Sequence, residues 1–163
     1  MASPVADFVA RYGGIYEHSP WVAEQVEPLL TDTDDIEVIA RLMADCVDNA
    51  SMERQLELIR AHPDLAGKAQ IAGELTPHSS SEQASAGLDQ CSAEEYEKFQ
   101  RLNRKYRDKF GFPFIMAVRD SSRAEILAAF EVRLGNEPST EFETALSEIH
   151  KIAALRLRAM GAP

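Results

Sequence analysis

Apolar residues recur at steps of three and four along almost the whole chain, and the period is helical rather than strand-like. Ile36, Ile39, Ala40, Met43, Val47 and Ala50 form one such stripe. The preceding Asp34, with Glu37 three residues on, has capping-box spacing, so a helix is predicted from about Asp35 to Ala50. Met52, Leu56 and Ile59 continue into a further helix that must stop near His62, because Pro63 disfavours a helical residue before it. Ser92 with Glu95 opens a segment carrying Tyr96, Phe99, Leu102, Tyr106 and Phe110, closed by Gly111 as a C-terminal cap. Ser122 with Glu125 opens the next, through Ile126, Leu127, Phe130 and Leu134 to the stop at Gly135-Asn136. Thr140 with Glu143 is the predicted start of the last helix, whose stripe runs Phe142, Ala145, Leu146, Ile149, Ile152, Ala153. Pro20 to Leu30 reads as an earlier helix after the turn-like Gly13-Gly14.

No alternating strand pattern of useful length, internal repeat or linker interrupts this. The prediction is all-α: one compact multi-helix domain over residues 1–163 with short irregular connections. Two segments resist the helical period. Residues 62–81 contain Gly67, Gly73, Pro77 and three consecutive serines, and Phe112-Pro113-Phe114-Ile115-Met116 is an apolar run broken by proline. Irregular segments on a rigid helical frame are favoured places for a site.

Composition narrows the function classes. The chain has 163 residues, enough to bury one core, and 45% of them are hydrophobic. Twenty-seven acidic against 17 basic residues leave a formal net charge of -10, which repels nucleic acid and anionic membranes. A small anionic substrate would need a local basic group. Cys46 lies on an apolar stripe and Cys91 in another segment, so a disulfide framework is not expected. The start lacks a basic stretch followed by an apolar one, and the longest wholly apolar stretch, Phe112 to Val118, is too short to span a bilayer. The C-terminal Gly161-Ala162-Pro163 is not a peroxisomal tripeptide. These features predict a soluble, cytoplasmic protein.

Several chemistries lose their usual supports. Four histidines occur without a metal-binding pair at helical spacing, and no C-x-x-C appears, so no zinc site is predicted. Dinucleotide-binding, P-loop and nucleophile-elbow motifs are absent. Among the candidates that remain, His62 reads either as a cationic cap at a helix end or as a general acid–base titrating near neutral pH. Glu82 follows Ser79-Ser80-Ser81 and has capping-box spacing from Ser79; it caps a helix, or points into a cleft and orients a histidine. Arg156 continues the stripe of Ile149 and Ile152, whereas Arg158 shares the polar face of Lys151. An arginine aimed at a core needs an anionic partner, either an internal carboxylate or a substrate carboxylate. Phe112 to Met116 reads first as core, yet Pro113 leaves backbone groups there that need partners, which a ligand with ring nitrogens and carbonyls can supply.

These residues occur in an ordered set: His62-Pro63-Asp64-Leu65-Ala66-Gly67, Ser79-Ser80-Ser81-Glu82-Gln83, Phe110-Gly111-Phe112-Pro113-Phe114-Ile115, and Ile152-Ala153-Ala154-Leu155-Arg156-Leu157. Together with Gly14 to Ala23, they resemble the 2-oxo-4-hydroxy-4-carboxy-5-ureidoimidazoline (OHCU) decarboxylase family over nearly the whole chain. The resemblance implies a cofactor-free, homodimeric, all-helical carboxy-lyase that yields (S)-allantoin at the end of urate degradation. It implies His62 as the proton donor and Glu82 as its carboxylate partner. Substrate contacts are implied for Pro63, for Ser79, Ser80, Ser81 and Gln83, for Phe112, Pro113, Phe114, Ile115 and Met116, and for Arg156. A helical interaction module, or a hydrolase in which His62 activates water on another ureide, are the competing readings.

Overall fold

A computed structural model describes residues 4–30, 35–67 and 73–161. Among these it contains eight α-helices, two 3₁₀ turns and no strand. The helices are α1 (Pro4–Tyr12), α2 (Trp21–Val26), α3 (Ile36–Asp48), α4 (Met52–Arg60), α5 (Pro77–Ser85), α6 (Ala93–Phe110), α7 (Arg123–Leu134) and α8 (Pro138–Gly161). The all-α prediction holds. No described helix is long and apolar enough to cross a membrane.

Helix starts show where local chemistry decided the outcome. Ser92 and Ser122 each receive the backbone N–H of the glutamate three residues on, and each glutamate returns the bond, so both predicted capping boxes form. Gly111 closes α6 at φ 78°, a left-handed value that glycine adopts without a Cβ clash. Two predicted starts, those at Ser79 and Thr140, are displaced. Asp34 lies outside the described residues, and Asp35 caps α3 by accepting from Val38 N. Ser79 and Glu82 do not form a capping box: α5 begins earlier, with Thr76 as its cap and Pro77 at the first helical position, so both lie within the helix. Thr140 likewise lies inside α8, which starts at Pro138. In both cases proline at the first turn, with its preset φ and no N–H to leave unbonded, outweighs a Ser/Thr-x-x-Glu spacing further on. The predicted Pro20–Leu30 helix is α2 plus a 3₁₀ turn at Glu27–Leu29. Met52 is exposed, and α4 instead buries Leu58 and Ile59.

The chain divides into two compact units, residues 1–61 with 149–163, and residues 62–148. In the first, Val22, Val26, Ile39, Met43, Val47 and Ile149 are buried. A polar chain accompanies them. The buried Tyr16 hydroxyl meets His150 Nδ1 at 2.9 Å, and His150 Nε2 meets the Asp48 carboxylate at 2.8 Å. Burial pushes the Tyr16 hydroxyl well above its ordinary pKa, so it stays protonated. The second unit is built on rings. Phe114 stacks on Phe130 with centroids 3.8 Å apart, and Tyr106 meets Phe112, Phe114 and Phe130 edge-on.

Candidate active site

His62 follows Ala61, the C-cap of α4, and precedes Pro63. It is 6% exposed, so its side chain is withdrawn from solvent just beyond the end of α4. The loop that it opens is tightly folded. Ala66 has φ 52°, a left-handed value that costs a non-glycine residue on the order of 1 kcal/mol, and a Cβ on Gly67 would sit 2.8 Å from that of Asp64. Such a turn persists because its surroundings over-determine it.

Two helices supply those restraints. From α5, Gln83 spans the loop: its Oε1 accepts from Ala66 N at 3.0 Å and its Nε2 donates to the Asp64 carbonyl at 3.2 Å. From α6, Gln100 donates to the Ala66 carbonyl at 2.7 Å and Asn103 to the Leu65 carbonyl at 3.0 Å. One turn further, Arg107 pairs with the Asp64 carboxylate at 2.9 Å. Gln100, Asn103 and Arg107 share a helical face at intervals of three and four, which lets one helix grip three consecutive loop residues.

On α5, Ser79 and Gln83 are buried and Glu82 is half-buried on the same face, which the buried C-cap Ala86 continues, while Ser80 and Ser81 are exposed. The helix thus divides the predicted Ser79–Gln83 run into an inward and an outward set. The amide of Gln83 is engaged at both ends by the His62 loop.

The segment after Gly111 has no regular structure, as predicted; Phe112, Pro113, Phe114 and Ile115 are buried and Met116 is half-buried. Its backbone groups find internal partners. The Ile115 carbonyl accepts from Arg133 Nη1 at 2.5 Å, and Ala117 N donates to Glu148 at 3.2 Å. Arg133 also donates through Nε to Glu141 at 2.8 Å, and its guanidinium carbon lies 4.3 Å from the centre of the Phe114 ring. Glu141, fully buried, accepts from the Tyr106 hydroxyl at 2.5 Å and from Asn136 at 3.0 Å as well. Burial first, and then the bond to Glu141, push the Tyr106 hydroxyl far above its usual pKa, which keeps it a donor.

Arg156 is in the other unit, buried as its stripe predicted. It donates to the carbonyls of Gly14 and Ile15 at 3.3 and 3.1 Å, and meets the buried Glu17 carboxylate at 3.4 Å. Of the two anionic partners left open by the sequence, the internal carboxylate is present. Arg158 is exposed and pairs with Glu37.

The polar residues that hold the two irregular segments, Asn103, Arg133 and Glu141, were not singled out in the sequence. Their signal resembles that of Arg156. Arg133 continues Ile126 and Phe130, Asn103 continues Phe99, and Glu141 anticipates Ala145 and Ile149, so each is a polar residue on an apolar stripe. A cleft of about 530 Å³ opens beside Ala66 at the start of α6, lined by Leu88, Cys91 and Tyr96 among others, but by none of the predicted site residues. No cluster of three or more His, Cys, Asp or Glu side chains arranged to hold a metal occurs among the described residues.

The chain is similar to known proteins in sequence and in fold. The sequence profile of the OHCU decarboxylase family matches residues 1–158. A 2-oxo-4-hydroxy-4-carboxy-5-ureidoimidazoline decarboxylase of Haloferax volcanii is 50% identical over 92% of this chain and 86% of its own length. The protein of the same name from Halalkalicoccus jeotgali is 48% identical over 96% of this chain and 86% of its own. The crystal structure of an OHCU decarboxylase in the presence of (S)-allantoin superposes with a TM-score of 0.73 at 28% identity, covering 91% of this chain and 95% of that one. Helical architecture, ordered motifs and relatives matched over most of their length converge on one assignment: the chain belongs to the OHCU decarboxylase family.

Proposed function

We propose that this carboxy-lyase converts OHCU to (S)-allantoin and carbon dioxide with His62 as the group that handles protons on the substrate and Glu82 as the carboxylate that orients it. Losing carbon dioxide breaks a carbon–carbon bond and leaves an electron pair that needs a sink. In many decarboxylases a bound cofactor provides it. In OHCU the carboxyl-bearing carbon adjoins a ring C=N bond, and the pair can move into that bond without a cofactor. The protein then has three tasks: hold the carboxylate out of the ring plane, keep water away, and deliver one proton to one face.

The observation that carries the reading is a histidine removed from water in a loop restrained by four side chains. Proton transfer by a positioned imidazole rewards such fixity, because the reacting atoms must stay within hydrogen-bond reach. Pro63, the inward face of α5 and the buried Phe112–Met116 segment are the substrate contacts in this reading. Their support is that all belong to residues 62–148, and that the last two are anchored by buried polar groups. The acidic composition and the lack of any described membrane-crossing helix suit a cytoplasmic enzyme, and the family resemblance favours a homodimer.

The test generates the substrate in situ from urate and follows optical rotation. His62→Asn should abolish the enzymatic appearance of (S)-allantoin while the helical circular dichroism is unchanged. Glu82→Gln keeps a good helix former inside α5 and should lower kcat by about 100- to 1,000-fold, the lower part of what a positioned proton-transfer system supplies. Full turnover by the His62 variant would refute the acid–base role.

A further inference from the structure

We propose that Asn103, on α6, is a positioning residue for decarboxylation: through the Leu65 carbonyl it sets where the His62 imidazole stands. The inference rests on the reading of His62 given above. Asn103 is 3% exposed in the middle of an amphipathic helix, where an apolar residue would be the ordinary choice. Its Nδ2 donates to the Leu65 carbonyl, 38 residues away in sequence and three residues after His62. Its Oδ1 is the sole buried side-chain N or O atom among the described residues with no hydrogen-bond partner. An orphaned buried acceptor costs more than one neutral hydrogen bond returns, so Asn103 adds little net to folding. What it does provide is a fixed point for the loop.

That fixed point matters because the turn is strained at Ala66 and crowded at Gly67. Gln83 holds Asp64 and Ala66 from one side, and Gln100 holds the Ala66 carbonyl from α6. Leu65 stands between these two points, and Asn103 holds its carbonyl. Without this bond the middle of the turn can rotate, and the change is passed along the backbone toward His62 at its N-terminal end. A displacement of about 1 Å at a reacting group is enough to cost on the order of a hundredfold in rate.

Asn103→Leu removes the donor with little change of volume. In the full-length chain it should lower kcat by about 10- to 100-fold while KM stays within about threefold, because fixity at the reacting group, rather than ground-state binding, is lost. The Hε1 resonance of His62 in the free enzyme should move, a signature that loss of stability alone would not produce in a folded protein. If Asn103→Leu fails to fold, Asn103→Ser, a small polar residue with a shorter reach toward the Leu65 carbonyl, takes its place with the same readouts and the same expected fall. A folded variant with wild-type kcat and an unmoved His62 resonance overturns the proposal. His62→Asn run in parallel separates the two ideas. If it is inactive while Asn103→Leu is fully active, the inference alone fails; if it keeps full turnover, the acid–base reading and the inference fail together.

Discussion

Replacing Glu141 with alanine removes the acceptor shared by Tyr106, Arg133 and Asn136 in a place that water does not reach. The Arg133 side chain is 11% exposed, so its charge would lose its carboxylate while remaining largely desolvated. Breaking a buried pair from one side costs about 3–5 kcal/mol. For a protein of this size each kcal/mol lowers Tm by about 2–4 °C, so the melting point should fall by roughly 6–20 °C. Arg133→Met should cost a similar amount, since it leaves a buried carboxylate without its guanidinium and the Ile115 carbonyl without a donor. The double variant Arg133→Met with Glu141→Leu removes both charges together. Its loss should therefore be smaller than the two single losses combined, by about 0.5–3 kcal/mol. Urea unfolding followed by circular dichroism at 222 nm measures all three variants. Single losses below about 1 kcal/mol, or losses that simply add, would show that the cluster is not the anchor that its geometry describes.

Two further outcomes follow from a helix cap and from the contrast between a buried and an exposed arginine. Thr76→Ala removes the side-chain acceptor for Ser79 N at the start of α5 and should cost about 1 kcal/mol, read as a drop in Tm of about 2–4 °C; no change would mean that Pro77 alone defines this start. Arg156→Ala should destabilise by about 3–5 kcal/mol in urea unfolding because Glu17 loses its buried cation, whereas Arg158→Ala, at an exposed pair, should cost less than about 1 kcal/mol. Equal effects at the two arginines would contradict the difference in burial.

The periodicity of apolar residues was sufficient for the all-α class and for the position of most helices, because each helix must bury one face and the three-and-four spacing records which face that is. Local chemistry also made the capping boxes at Ser92 and Ser122 legible, since cap and glutamate are near neighbours in sequence. The same rule misplaced α5 and α8, where a proline at the first turn competed within the same few residues and won. The polar residues on apolar stripes were readable as anomalies, but their partners were not. Nothing along the chain pairs Asn103 with Leu65, Gln83 with Ala66, or Arg133 with Ile115, because those bonds join residues 17 to 38 positions apart. The sequence named His62 as a candidate; only the folded chain decides that its loop is buried, strained and clamped. Side-chain periodicity is a local property, whereas the restraint of an irregular loop depends on which distant donors packing brings to its carbonyls.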